Sequence, residues 1–127
     1  MTKKLLAIVE QGGYPDFRSL YQSHGYQVET LHNMRKALGF IKKQRPDVVV
    51  AEFNYQSDFR DRTSSLESML ATIEQVSKLG EGDSIQVIIF YDNEYQAQLA
   101  KLQAVFNNFV SLPFPIDQAT LGQYLSV

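Results

Sequence analysis

Glu52 closes the run Pro46-Asp47-Val48-Val49-Val50-Ala51-Glu52-Phe53-Asn54, an apolar stretch opened by a proline and ended by polar residues. Such a run reads as a strand covered on both faces. In open parallel sheets, ligand sites gather beyond the carboxyl ends of the strands, so an acid there is a candidate to hold a cation or small ligand. A second acid, Glu10, ends the earlier run Leu5-Leu6-Ala7-Ile8-Val9 and is followed by Gln11. Other chemistry-bearing types are sparse. His24 and His32 have no acid or cysteine partners at metal spacing, and His24 precedes a glycine that suits a helix end, where a histidine complements the dipole. Gly12-Gly13 reads as a turn, because neither GxGxxG nor a Walker lysine accompanies it. Ser64-Ser65 precedes an apolar helical pattern and is read as an N-cap, not a nucleophile.

Composition narrows the classes further. A chain of 127 residues suits one domain, 1–127, with a core of ordinary size. Its 44% apolar share is that of a globular protein. No segment approaches the roughly 18–20 apolar residues of a membrane helix. The apolar run after Lys3-Lys4 is too short for a signal peptide and lacks a cleavage site. With no cysteine there is no disulfide framework and no thiolate chemistry, and a cytoplasmic location is the default. A net charge of −2 without a basic stripe argues against nucleic-acid binding by this domain.

The elements that must position Glu52 alternate. Leu5–Val9 is a strand. Pro15 and Asp16 open a helix carrying Phe17, Leu20 and Tyr21, which His24-Gly25 ends. Tyr26–Thr30 is a short strand. Asn33 caps a helix with Met34, Ala37, Leu38 and Ile41 inward. After the Glu52 strand, the polar stretch Gln56–Ser65 is expected to be mobile. A helix with Leu66, Met69, Leu70, Ile73 and Val76 on one side then runs to about Gly80–Gly82. Ile85–Tyr91 is a second buried strand, and Asp92 or Asn93 caps a helix with Leu99, Leu102, Val105 and Phe106 inward. Phe109–Leu112 is the fifth strand, and Pro113-Phe114-Pro115 leads into a helix bearing Ala119, Leu121 and Leu125. Alternation of this kind predicts an α/β fold, a flavodoxin-like (βα)5 three-layer sandwich with a parallel five-stranded sheet of order 2-1-3-4-5.

With the elements in this order, "PDVVVAE" resembles the third strand of response-regulator receiver (CheY-like) domains, whose "PDLVLLD" ends in the phosphorylated aspartate. "FVSLPF" is similar to the family's "DYLTKPF" on strand five. The resemblance covers nearly the whole chain and implies a site altered at several positions. Glu52 stands at the phospho-acceptor position. Glu10 and Gln11 stand where receivers carry two metal-holding acids. Leu112 takes the place of the conserved lysine, and Tyr91 that of the small hydroxyl residue on strand four. A weak divalent site from Glu10, Glu52 and the Asn54 carbonyl is all that remains of the metal centre. Phe109 matches the aromatic switch residue, and Pro113 matches a proline after a cis bond. Tyr95 and Tyr124 are expected at the surface, on the helix 4–strand 5–helix 5 face that receivers use for docking.

Phosphoryl transfer depends on positioning and on neutralising charge at the transferred group. Loss of the cation, one acid and the small hydroxyl removes those contributions together. The expected role is therefore a degenerate pseudo-receiver in two-component or phosphorelay signalling of bacterial type. It would be an adaptor that acts by protein–protein contact without being an enzyme and without a cofactor. Its partners would be a histidine kinase, an output domain or a second copy. A phosphoryl-accepting response regulator with atypical chemistry, or a flavodoxin-like small-ligand binder, are the alternatives. Glu52 itself has three readings: a phosphate mimic, a cation or ligand contact, or a remnant hydrogen-bonded to Tyr91 or to backbone. The loss of its reading groups favours the remnant.

Overall fold

The computed structural model describes residues 3–9, 16–53, 62–79, 85–106 and 109–125. The readings of Glu10, Gln11, Gly12-Gly13, Pro15, Asn54, Gln56–Asp61 and Gly80–Gly82 lie outside the described residues. Five parallel strands form one sheet in the order β2-β1-β3-β4-β5. They are β1 Lys3–Ile8, β2 Tyr26–Leu31, β3 Val48–Glu52, β4 Gln86–Tyr91 and β5 Val110–Pro113. The helices are α1 Arg18–Ser23, α2 Met34–Gln44, α3 Arg62–Leu79, α4 Gln96–Val105 and α5 Gln118–Leu125, with a short 3-10 turn at Asn93–Tyr95. This is the predicted flavodoxin-like arrangement.

The apolar runs explain the sheet's centre. All five residues of β3 are buried, as are the last five of β4, because each strand is covered on both faces. Alternation along the strands divides their side chains between two cores. On one face, Val49, Ala51, Val87 and Ile89 pack with Ala37 and Ile41 of α2, Met69 and Ile73 of α3, and Leu99 and Leu102 of α4. On the other, Val48, Val50, Ile88 and Phe90 pack with Phe17, Tyr21 of α1 and Leu121, Leu125 of α5.

Local signals set most boundaries. The Asn33 side chain accepts from the Arg35 and Lys36 backbone amides at 2.8 and 3.3 Å, an N-cap that satisfies two otherwise open donors of α2. Gly25 sits at φ 88°, the left-handed conformation glycine adopts freely, and so the chain reverses from α1 into β2. Asp92, rather than Asn93, caps the turn before α4, accepting from the Glu94 amide at 3.0 Å.

Other expectations need correction. Helix α1 starts at Arg18, after Asp16 has closed a local turn by accepting the Arg18 amide at 3.0 Å. Helix α3 already runs at Arg62, so Ser64 and Ser65 lie within its first turn instead of capping it. Val105, expected inward, is 71% exposed at the last position of α4. The following residue, Phe106, also expected inward, turns extended and packs on the core. Pro113 was expected after a cis bond; Phe114–Pro115 is the cis bond found among the described residues. The reason is that β5 runs one residue further than expected. Pro113 still pairs opposite Tyr91, and the chain leaves the sheet only after the Phe114 amide donates to the Tyr91 carbonyl at 2.7 Å. Proline is tolerated there because β5 is an edge strand, where one side of the ladder needs no donor.

Candidate functional site

Glu52 is the final residue of β3 and pairs in register with Phe90 of β4. Alternation puts its side chain on the same face as Val48 and Val50, toward α1 and α5. It is 7% exposed, the one buried charged side chain among the described residues. Burying a carboxylate is costly unless polar groups meet it, so its surroundings decide what it can do.

Those surroundings form an open cavity of about 220 Å³ between α1 and the carboxyl ends of β1, β2 and β3. Ala7, Val28, Val50, Phe17 and Phe90 give it apolar walls, and the last two pack edge to face with ring centroids 5.8 Å apart. Polar groups converge from three elements. Tyr21 comes from the inward face of α1. Burial first, then the nearby charges of Asp16 and Glu52, push its hydroxyl well above the ordinary tyrosine range. Arg18, one turn earlier, donates through Nη2 to the Thr30 hydroxyl at 3.0 Å, tying α1 to the end of β2. The His32 Nδ1 lies 2.9 Å from the Val9 carbonyl. A carbonyl only accepts, so the Nδ1 that meets it donates its N–H.

The positions singled out from sequence separate into two groups. Leu112 pairs with Phe90 and is buried in the same core as Tyr21 and Leu121, so it shares the face of Glu52 but brings no charge. Tyr91 belongs to the core on the opposite face, with Leu99 and Met69. The side chains of Glu52 and Tyr91 therefore leave the sheet in opposite directions, and Tyr91 is not its neighbour. Glu10, Gln11 and Asn54 lie outside the described residues. Among the described residues, no three His, Cys, Asp or Glu side chains are grouped to hold a metal ion.

The aromatic surface also differs in detail. Phe109 sits just before β5 and, like Tyr95, is half-buried against the α2–α3–α4 core. Tyr124 is half-buried against the other core. Among the described residues, the large apolar groups that reach solvent are Val105 and Phe114, the latter 40% exposed. Sequence reasoning assigned Val105 inward. It placed Tyr21 on the first helix without a role and left Arg18 and Thr30 unremarked. The usable signal was the polar Thr30 and His32 at the carboxyl end of β2, which the strand order places beside β1.

No family model and no curated protein matches the sequence. Solved structures do match the fold. The chemotaxis protein CheY4 of Vibrio cholerae is 21% identical, with a TM-score of 0.65 over 98% of this chain and 97% of that one. A CheY-like response-regulator receiver domain of Methylobacillus flagellatus is 21% identical, with a TM-score of 0.67 over the same shares. A response-regulator receiver protein of Sinorhizobium medicae gives a TM-score of 0.69 at 16% identity, over 98% of this chain and 92% of that one. No helix of the described residues is long and apolar enough to cross a membrane. The chain has the fold of response-regulator receiver domains.

Proposed function

We propose that this chain is a pseudo-receiver, a receiver-like module of two-component signalling that works by contact with other proteins and not by accepting a phosphoryl group. One observation carries the reading. At the carboxyl end of β3, where receivers place the reactive aspartate, stands Glu52, recessed to 7% exposure under α1. Across the sheet on that face, the position matched to the receiver lysine is buried Leu112. Phosphoryl transfer gathers negative charge that a cation must offset, and a misplaced acceptor loses in-line geometry. A lengthened acid with an apolar residue two strands away on its face of the sheet supplies neither condition.

The partner-binding surface we assign is formed by α4, β5 and the start of α5, where Val105 and Phe114 are exposed. A histidine kinase, an output domain or a second copy of the chain would dock there, their apolar groups burying these two side chains. The test is to incubate the protein with an acyl-phosphate donor and Mg²⁺ and record its intact mass. No added phosphoryl group is expected. A gain of one phosphoryl group that disappears in Glu52→Gln would overturn the proposal.

A further inference from the structure

We propose that the exposed face of α2 docks an acidic helix of a partner protein, with a bulky side chain of that helix seated over Gly39 and its carboxylates meeting Arg35, Lys36, Lys42 and Lys43. This surface is on a different helix from the one assigned above. It stands whether or not Glu52 accepts a phosphoryl group.

The cations form two separate pairs in the linear sequence, Arg35-Lys36 and Lys42-Lys43, and no basic tract. On a helix, seven positions make nearly two whole turns, so the second pair stands over the first, about 10 Å along the axis. Gly39 falls midway between the pairs, both along the axis and around it. This face points away from the sheet, because Met34, Ala37 and Ile41 hold the opposite side of the helix in the core. All five residues of the face are exposed. Arg35 and Lys36 donate through their backbone amides to Asn33, but none of the four charged side chains makes an ion pair or hydrogen bond among the described residues.

Two features of this face lower helix stability with no gain elsewhere in the fold. Arg35 and Lys36 stand in the first turn, which has no acid, and a cation there opposes the helix dipole. That dipole explains Lys42 and Lys43 in the last turn but not the first pair. A glycine inside a helix is also less stable than an alanine. Yet Gly39 has no positive φ, and a Cβ placed on it would meet nothing within 4 Å. Packing therefore gives no reason for its bare backbone. Local rules broken without a structural gain point to function. A bare spot among four cations suits a ligand that comes close to the helix and brings negative charge.

Charge then selects the kind of partner. Between Glu29 and Asp47 the chain has five basic residues and no acid. Taking those five from the formal net charge of −2 leaves −7 on the rest of the chain. An extended polyanion such as duplex DNA, or an anionic membrane, would overrun the patch and meet that negative remainder. A helix is about 10 Å across, the size of the patch, and its side chains fit the grooves of a second helix.

The test uses two helical peptides of one composition, built from glutamate, alanine and leucine, titrated against the whole chain by fluorescence anisotropy at low salt. In the first, glutamates flank a central leucine on a single face; in the second, they are spread around the helix. The first should bind about tenfold tighter than the second and weaken severalfold at about 0.15 M salt. Reversing two exposed charges together, Lys42→Glu with Lys43→Glu, should weaken it by about tenfold or more. Gly39→Gln should weaken it about tenfold while raising the urea midpoint, a split that a structural role for the glycine would not give. Duplex DNA and phosphatidylserine vesicles are titrated alongside. No binding of the first peptide, equal binding of both, or tighter binding of DNA or vesicles overturns the proposal. Unchanged peptide binding in a folded lysine-reversed or Gly39→Gln protein also overturns it. So does self-association of the chain that the lysine reversals abolish, because the face would then belong to a second copy.

Discussion

Raising the pH above about 10 should destabilise this protein through Tyr21, and the size of the effect follows from where that residue sits. In the unfolded chain the phenol ionises near its ordinary value of about 10. In the fold, burial holds it neutral to higher pH, helped by the charges of Asp16 and then Glu52. The folded state thus keeps a proton that the unfolded state sheds. Its stabilising contribution is complete below the unfolded value and is lost as pH climbs toward the folded one. Within that window each pH unit costs about 1.4 kcal/mol per group, so moving from pH 10 to about 11.5 should cost about 2 kcal/mol. Tyr26, also raised by burial and then by Asp47, remains in both proteins when wild type is compared with Tyr21→Phe. So do the lysines. Urea unfolding at about pH 8 and pH 11.5 gives the needed quantities. Wild type should lose about 2 kcal/mol more than Tyr21→Phe across that interval. Equal losses would refute the placement of Tyr21 in a buried position near the charges of Asp16 and Glu52. Glu52→Gln should reduce the difference without removing it, because burial is the larger cause.

Packing and capping make further claims. Leu121→Ala opens a cavity in the α1–α5 core and should cost about 2–5 kcal/mol, whereas Val105→Ser at an exposed helix end should stay within about 0.5 kcal/mol; urea midpoints distinguish them. Asn33→Ala removes the acceptor for two backbone amides and should cost about 1 kcal/mol. Its effect should appear as a loss of far-UV helical signal at lower urea than wild type, and an unchanged midpoint would show that the cap contributes nothing.

Much of the architecture was legible in the chain because the signals were local. Uninterrupted apolar runs marked β3 and β4, Asn33 and Asp92 marked helix starts, and Gly25 marked the reversal into β2. Alternating elements then left few topologies, and the strand order followed. Boundaries failed where a distant partner decided them. Pro113 stays in β5 because Tyr91 of β4 is there to pair with it. Val105 has the right helical spacing to point inward, but it is the last residue of α4 and lies exposed, while Phe106, also expected inward, packs on the core from the extended backbone that follows.

What the sequence determined by itself is the chemistry available: a glutamate at the end of the third strand, a tyrosine at the end of the fourth, a leucine on the fifth, and no cysteine. Those are identities, fixed by the chain alone. Tertiary structure decided which of them meet. The pleat sends Glu52 and Leu112 to one face and Tyr91 to the other. The parallel order then brings Thr30 and His32 of the β2 edge alongside β1, within one cavity that Glu52 and Tyr21 share. Neighbours across a sheet are set by register and strand order, which act between residues far apart in sequence. For that reason Tyr21 reads only as a helix residue in the chain and is seen to line the cavity beside Glu52 only in the fold.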